Sequence, residues 1–415
     1  MENKFSNNDK TQGGLRILQF CNKSPYPPKE GGPIAMNAIT NMLLKQGHSV
    51  TVLGINTYKY FVNERLIDDA YKEKTNIELV WLDIRFHFFS AILSLTKNSS
   101  YHVDRFKSEI LEQRLKELLI ENNFDIVIME TVYLAIYADI IRKYSSAKLI
   151  LRAHNVEHSI WNKIAKNTSI GLKKIYFAIL AGQLKRFEQE SINLFDAIFC
   201  ISATDKVWFS AQNSNKFVDV IPFGIDVEDI SNNIPAFHCD NLFSIASMNW
   251  YPNIEAIEWF LNNVWDKINR LYPTLILKIA GRNIPDSIKN TKLRNVDIVG
   301  VVYDAKKFMR ENGVLIVPLM SGSGIRIKII EAMAMGKVII TTSIGLDGIL
   351  AKDKEHILIA DTVDEFVNAV KFCIENTEAC EQIGKNAQKF VRENHNNIDI
   401  SSHLKNNLNE IYMRK

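Results

Sequence analysis

The chain predicts an α/β protein made of two tandem doubly wound parallel sheets, and three observations carry that expectation. From Leu15 onward, short runs rich in Val, Ile and Leu alternate with amphipathic stretches, the cadence of parallel strands buried on both faces. The cadence halts at Val218 to Asp226, VDVIPFGID, and restarts at LFSIASM. The 415 residues exceed a single core and suit two domains of about 200 residues each.

In order, the first half offers the strands LRILQFC, HSVTVLGI, IELVWLDI, FDIVIMET, KLILRAHN and AIFCIS. Helices are expected between them at about Pro33 to Gln46, Asp104 to Asn122 and Leu172 to Leu194. VDVIPFGID adds a short strand and, with Pro222 and Gly224, a hinge. The second half offers LFSIASM, TLILKIAG, VDIVGVV, GVLIVPLM, KVIITTS and HILIA, with helix-like sequence such as Asn253 to Leu271 between them and a last amphipathic helix over Asp399 to Lys415. Sheets of this kind bind ligands outside the carboxyl ends of their strands, so a cleft between the domains is the expected site.

Composition narrows the function. Hydrophobic residues make up 47% and charged residues 23%, as in a soluble globular protein. The formal net charge is only +3, so no global field marks a nucleic-acid binder, and any anion site must be local. Cys21, Cys200, Cys239, Cys373 and Cys380 lack CxxC spacing, which suggests neither a disulfide framework nor a zinc site and fits a reducing cytoplasm. The leading MENKFSNNDKTQGG has no apolar h-region and reads as a flexible lead, and no run is apolar enough to span a bilayer. The aromatic and basic insert Arg85 to Lys107 reads first as a helix buried against the first domain, with contact to a lipid surface or an extended acceptor as the alternative.

The most informative stretch is Pro318 to Gly348. The apolar run Val314 to Leu319 reads as a buried strand, and Ser321, Gly322, Ser323 and Gly324 allow a tight turn with backbone close to a ligand. A helix is expected from about Ile325, its first-turn N–H groups ready for a phosphate or diphosphate. Arg326 and Lys328 add charge there, and Glu331 follows one turn later, where a carboxylate suits ribose hydroxyls. The bland alternative is a turn followed by a Lys328/Glu331 surface pair.

Other segments are less specific. Gly31 and Gly32 follow the first strand where a dinucleotide-fold phosphate loop would sit, but neither they nor Gly322-x-Gly324 complete GxGxxG, which disfavours hydride transfer; a βα connection with φ > 0 is the structural alternative. His154 and His158 stand four apart at a strand end, without the HExxH order that would bind zinc on a helix. His154 is the better candidate for substrate hydroxyls or a leaving phosphate, against a histidine satisfied in the core. Trp250 and Tyr251 either project toward a ligand or pack, and Arg282, after TLILKIA, faces either a nucleotide or solvent. No DxD occurs, and Asp226-Val-Glu228 is the nearest approach, so no metal clamp is expected.

Taken with the tandem sheets, the segments PLMSGSGIRIKIIEAMAMGKVIITTSIGLDGI, SMNWYPNIEAIEWF, LRAHNVEH and VIPFGID give a chain that resembles glycosyltransferase family 4. That family has the GT-B fold, two Rossmann-like domains facing a cleft. The resemblance runs through nearly the whole chain. It implies a retaining, metal-independent transferase that moves a sugar from a UDP- or GDP-linked donor to a glycan, lipid-linked or other hydroxyl acceptor, with no cofactor beyond that donor. It divides the chain into a lead (1–14), an acceptor-binding domain (15–222), a donor-binding domain (223–394) and a helix crossing back (395–415). Glu331 matches the second glutamate of the family's Glu-x7-Glu motif, which holds the donor ribose; Ser323 stands where the first belongs. Asn249 and Asn253 replace the usual diphosphate-binding Arg and Lys, so Arg326 and Lys328 are expected to take that role. Gly31 and Gly32 match the glycine turn facing donor phosphates or acceptor, and His154 a histidine near the transferred sugar. The donor contacts are thus expected at Gly31, Gly32, Arg282, Gly322, Ser323, Gly324, Ile325 and Glu331, with His154, Arg326 and Lys328 in catalysis. A cytoplasmic enzyme of surface polysaccharide or glycoconjugate synthesis is the expectation, with a peripheral contact at the inner membrane face left open. The competing readings are a nucleotide-sugar epimerase and a catalytically silent nucleotide-sugar-binding subunit.

Overall fold

The computed structural model describes residues 14–85, 100–168, 171–226, 236–322 and 324–414. Most of the Arg85 to Lys107 insert, the lead up to residue 13, Val227-Glu228 and Ser323 lie outside the described residues. The chain divides into unit 1, Met1–Pro222 with Ser401–Lys415, and unit 2, Phe223–Ile400.

Unit 1 holds a seven-stranded sheet in the order β3-β2-β1-β4-β5-β6-β7. Its strands are β1 (Arg16–Cys21), β2 (Ser49–Asn56), β3 (Glu78–Trp81), β4 (Ile126–Met129), β5 (Lys148–Ala153), β6 (Ala197–Cys200) and β7 (Phe217–Val220). Every pairing is parallel. Both faces are covered, which is why strands such as Ile126–Met129 are buried at every position and read as unbroken apolar runs. The helices that matter below are α1 (Gly31–Lys45), α2 (Tyr101–Asp104), α3 (Glu157–Asn167) and α4 (Leu172–Ser191). Phe20, Leu53, Met129, Leu151 and Phe209 lie in one buried cluster, each such side chain contributing about 1.5–3 kcal/mol.

Unit 2 repeats the plan with six parallel strands in the order β10-β9-β8-β11-β12-β13. They are β8 (Asn241–Ile245), β9 (Ile276–Ala280), β10 (Val296–Gly300), β11 (Val314–Val317), β12 (Ile339–Thr341) and β13 (Leu358–Ile359). Helix α5 (Tyr251–Phe260) follows β8, and α6 (Ile327–Ala334) follows β11. The core centres on Trp265, whose indole N–H donates to the Arg294 carbonyl at 2.8 Å. The last helix, α7 (Asn397–Met413), belongs to unit 1 from Ser401 on. There Gln46 Nε2 donates to the Ser401 carbonyl at 2.7 Å and Asn407 Nδ2 to Asp219 Oδ2 at 2.9 Å.

Each sheet therefore reverses its strand order between its first and fourth strands, β1/β4 and β8/β11. In open sheets of this kind, ligands bind beyond the carboxyl ends of the strands at such a reversal. Among the described residues, no helix is long and apolar enough to cross a membrane.

Candidate functional sites at the two strand-order switch points

In unit 1 the switch point carries buried charge. Glu130 follows β4 directly and is fully buried, as is Arg152 inside β5. Arg152 Nη1 donates to Glu130 Oε2 at 2.9 Å, and His154 Nε2 stands 2.8 Å from the same oxygen. Gln19 Nε2 donates to Glu130 Oε1 at 2.6 Å and to the Met36 carbonyl at 3.0 Å, while Thr40 Oγ1 donates to Gln19 Oε1 at 2.6 Å. Burial opposes ionisation of Glu130, but the Arg152 charge and the hydrogen bonds from His154 and Gln19 outweigh it and bring its carboxyl down to about 2. Burial, then the Arg152 charge, lowers the pKa of His154 against the pull of Glu130. The imidazole is therefore neutral at neutral pH, and donation to Glu130 puts its proton on Nε2.

Around it lie Lys23 and Glu157. Lys23 follows β1, and its Nζ lies 4.4 Å from the Tyr60 ring centroid and 3.0 Å from where a Cβ on Gly32 would stand. Burial lowers its pKa, with Glu30 opposing. Glu157 opens α3 and accepts from the Tyr133 hydroxyl at 2.8 Å. Burial, then the neighbouring Glu188 charge, pushes its carboxyl up to about 7. Glu188, fully buried on α4, accepts from the backbone N–H of Glu157 at 2.8 Å, that of His158 at 2.9 Å and His158 Nδ1 at 2.6 Å. It thus caps α3 from another helix. The two histidines of the AHNVEH segment bond different carboxylates, Glu130 and Glu188.

The structural alternative for Gly31 and Gly32, a βα connection with φ > 0, is not the one the chain adopts. Neither is among the positive-φ glycines. The turn closes at Glu30, whose carbonyl already accepts from Ile34 N–H at 2.9 Å, so both glycines lie in the first turn of α1. What glycine provides at 32 is room for the Lys23 side chain.

In unit 2 the loop after β11 is fastened from beneath. Thr341 Oγ1 donates to the Val317 carbonyl at 2.9 Å, Thr342 Oγ1 donates to the Leu319 carbonyl, and the Ser321 hydroxyl donates to Glu255 on α5. Gly322 has φ +108 and Gly324 φ +86, conformations that favour glycine. A Cβ on Gly322 would come within 2.6 Å of the Trp250 ring and 2.9 Å of Arg326 Nη2. Arg326 lies over that ring, its guanidinium carbon 4.8 Å from a ring centroid, a cation–π contact. Trp250 is thus a partner of the loop and not merely packing.

The expected helix start near Ile325 is corrected. Arg326 is extended at φ −90, ψ 93 and serves as N-cap, so α6 begins at Ile327. Ile329 N–H donates to the Arg326 carbonyl at 2.8 Å, which leaves the N–H groups of Ile327 and Lys328 at the helix start. Six apolar residues of this short helix face the core, while Lys328 and Glu331 stay partly buried on the other face. Lys328 Nζ donates to the Ile245 carbonyl at 3.3 Å. Burial, then the charge of Arg326, brings its ammonium down to about 7. Burial lowers Arg326 to about 10, so it remains charged at neutral pH, and burial raises the Glu331 carboxyl.

Gly322, Gly324, Ile325, Arg326, Lys328 and Glu331 are thereby gathered on one loop and helix start. Arg282 joins them through the backbone, because Met248 N–H donates to its carbonyl at 2.9 Å and ties its turn to the loop carrying Trp250. Asn249 and Asn253 are engaged nearby: Asn249 Oδ1 accepts from Asn283 Nδ2 at 2.7 Å, and Asn253 Nδ2 donates to the Ser247 carbonyl at 2.8 Å. Sequence reading missed Lys23, Glu130, Arg152 and Glu188 as parts of a site. The available signal was charge inside apolar strands: Arg152 ends KLILR, and Glu130 interrupts the run from Ile126 to Tyr137.

Residues 240–376 match the family model described as "Glycosyl transferases group 1". A protein of Klebsiella pneumoniae, described as an uncharacterized 44.6 kDa protein in cps region, is 24% identical over 94% of this chain and 98% of its own length. Among solved structures, sucrose-phosphate synthase from Thermosynechococcus elongatus is similar with a TM-score of 0.71, at 13% identity over 96% of this chain and 99% of that one. Anabaena HepE in complex with UDP and glucose is similar with a TM-score of 0.64, at 13% identity over 95% of this chain and 99% of that one. The chain thus carries the GT-B fold of two Rossmann-like units, and its second unit matches the group 1 glycosyltransferases over residues 240–376.

Proposed function

We propose that the protein is a retaining, metal-independent glycosyltransferase that moves a sugar from a nucleotide-sugar donor, UDP- or GDP-linked, to a hydroxyl acceptor in surface polysaccharide or glycoconjugate synthesis. The observation that carries this reading is the start of α6: backbone N–H groups, the Trp250-stacked Arg326 and the partly buried Lys328 converge there, one turn before Glu331. The family match over residues 240–376 and the UDP in a structure of the same fold support it. The cps-region relative supports the polysaccharide context.

In this reading the donor diphosphate lies at the start of α6 and Glu331 receives the ribose hydroxyls. The bond between the anomeric carbon and the diphosphate oxygen breaks while that carbon bonds the acceptor oxygen on the same face. The acceptor proton passes to the departing phosphate oxygen. Arg326 and Lys328 offset the charge growing on the leaving group. The remaining contribution is positioning. His154, neutral and fixed by Glu130, offers its Nδ1 lone pair to a sugar hydroxyl, and Glu157 orients substrate.

The test is donor binding and turnover of Arg326→Ala and Lys328→Ala with UDP- and GDP-sugars, in the presence and absence of a chelator. Both variants should lose turnover about 100-fold or more, and wild-type rates in both would sink the assignment. Donor binding without turnover on any acceptor would favour the silent-subunit reading, for which Ser323 in place of the first motif glutamate is the specific motive. Donor consumption without acceptor glycosylation would favour an epimerase.

A further inference from the structure

Between Glu157 and Glu188 the chain contains no Asp or Glu, while it carries Lys163, Lys166, Lys173, Lys174, Lys185 and Arg186. In a protein whose charges nearly balance overall, this is a local excess, and it coincides with the helices α3 and α4. The two pack on each other, with the Trp161 and Phe177 rings 5.8 Å apart. His102 of α2 stacks on Trp161 at 4.0 Å, and Tyr101 shares a buried cluster with Leu180. The inner face of α4, Leu180, Ala181, Leu184 and Glu188, is thus fixed to unit 1.

Its outer face is apolar. Leu172 is 87% exposed, Ile175 59% and Ile179 40%, and exposed Ala178 and Gly182 continue the line. Spacings of three and four residues put these side chains on one stripe, about 10 Å long from Leu172 to Ile179. A lone exposed Leu needs no explanation, but an apolar stripe whose charged neighbours between Glu157 and Glu188 are all basic has the character of an interfacial helix.

We infer that the outer face of the α3–α4 pair docks on an anionic lipid bilayer, its apolar stripe entering the headgroup boundary and its lysines meeting the negative lipid surface. Charge complementarity selects this occupant. Two copies joined through the stripe would bring their basic rims together and repel, whereas an anionic membrane attracts each Lys and Arg. The inference stands apart from the proposed sugar transfer, since none of these exposed residues belongs to either switch-point site. The two do meet in one element: α3 begins at Glu157, beside His154, so docking would hold that site near the membrane surface.

The test is co-sedimentation of the full-length protein with vesicles of phosphatidylcholine alone and of phosphatidylcholine mixed with phosphatidylglycerol. Binding should favour the anionic vesicles and weaken in high salt. The double variant Lys173→Glu/Lys174→Glu should bind them at least about tenfold more weakly, and Leu172→Ser/Ile175→Ser should also weaken binding. Both pairs should keep wild-type melting and nucleotide-induced thermal shift, which separates lost docking from misfolding. Lys173→Gln/Lys174→Gln provides a milder variant should the reversal disturb the fold. Equal binding to both vesicle types, binding to neither, or variants that bind like wild type would overturn the inference. So would a solution dimer that Ile175→Arg breaks without changing vesicle binding.

Discussion

His154 Nε2 lies 2.8 Å from Glu130 Oε2, and Arg152 Nη1 reaches the same oxygen at 2.9 Å. An ionised carboxylate only accepts hydrogen bonds. Arg152 Nη1 also stands 3.1 Å from His154 Nε2, but a lone pair there would face the carboxylate at the shorter 2.8 Å, so the imidazole donates from Nε2 and keeps Nδ1 unprotonated. A buried ion pair has in this way set the chemistry of the partly exposed ring beside it.

Glu130→Gln should consequently do two things. It leaves the Arg152 charge buried without its counter-ion, which costs about 3–5 kcal/mol and should appear as a lower urea midpoint. It also frees the imidazole to change tautomer, so kcat should fall while donor KM changes little. A merely structural role would lower the amount of folded enzyme and leave the pH profile of kcat unchanged.

Stability should fall in acid for the same reason. Glu130 titrates near 4.5 in the unfolded chain and at about 2 in the fold. Its contribution, about 3 kcal/mol by linkage, is complete above pH 5 and is lost as pH falls through 2. Glu157 has the opposite sign: its folded value is raised to about 7, so the native state holds the proton more tightly and stability declines between about pH 4.5 and 7. Urea melts across pH should show Glu157→Gln more stable than wild type at pH 8 by about 1–2 kcal/mol, allowing for its partial exposure.

Gly322→Ala is predicted to damage unit 2 locally. The residue sits at φ +108, which costs about 1–3 kcal/mol for a side chain. Its Cβ would displace Trp250 or Arg326. Donor affinity should fall about tenfold or more, measured by nucleotide titration, and Trp250→Leu should give a smaller loss in the same direction.

How far these sites could be read from the sequence follows from which forces are local. The thirteen strands among the described residues fall on the apolar runs of the sequence, because central strands of a parallel sheet, such as Ile126–Met129 and Val314–Val317, are covered on both faces. The start of α6 was displaced by two residues, since the extended backbone at Arg326 depends on the turn at Gly322 and Gly324 and not on helix propensity. Gly31 and Gly32 looked like a phosphate turn because glycine permits one; both lie in the first turn of α1, and at Gly32 a Cβ would meet the Lys23 side chain, which arrives from the preceding loop. The ion pair joins Glu130, just past β4, to Arg152 on the neighbouring β5, so each looked like an isolated charge until the register Met129 to Leu151 placed them side by side. Glu188 was hidden more deeply, 31 positions from the N–H it caps.

Lys328 offers the most direct test of where the nucleotide binds. Its ammonium, held down to about 7 by burial and by Arg326, is largely neutral at pH 8, and a diphosphate arriving beside it would favour the charged form. Binding of UDP or GDP at pH 8 should therefore take up a proton. Isothermal titration in two buffers of different ionisation enthalpy would measure that uptake as a difference in apparent heat. The sign follows from linkage: a ligand that raises the pKa of a group takes up protons between the free and bound values, so affinity should weaken as pH rises above 7. Lys328→Met should abolish both the uptake and this pH dependence while leaving the fold intact, since Lys328 has only one protein hydrogen bond among the described residues, to the Ile245 carbonyl. If wild type shows no buffer-dependent heat at pH 8, the diphosphate does not lie against Lys328, and the assignment of the α6 start as its binding site fails.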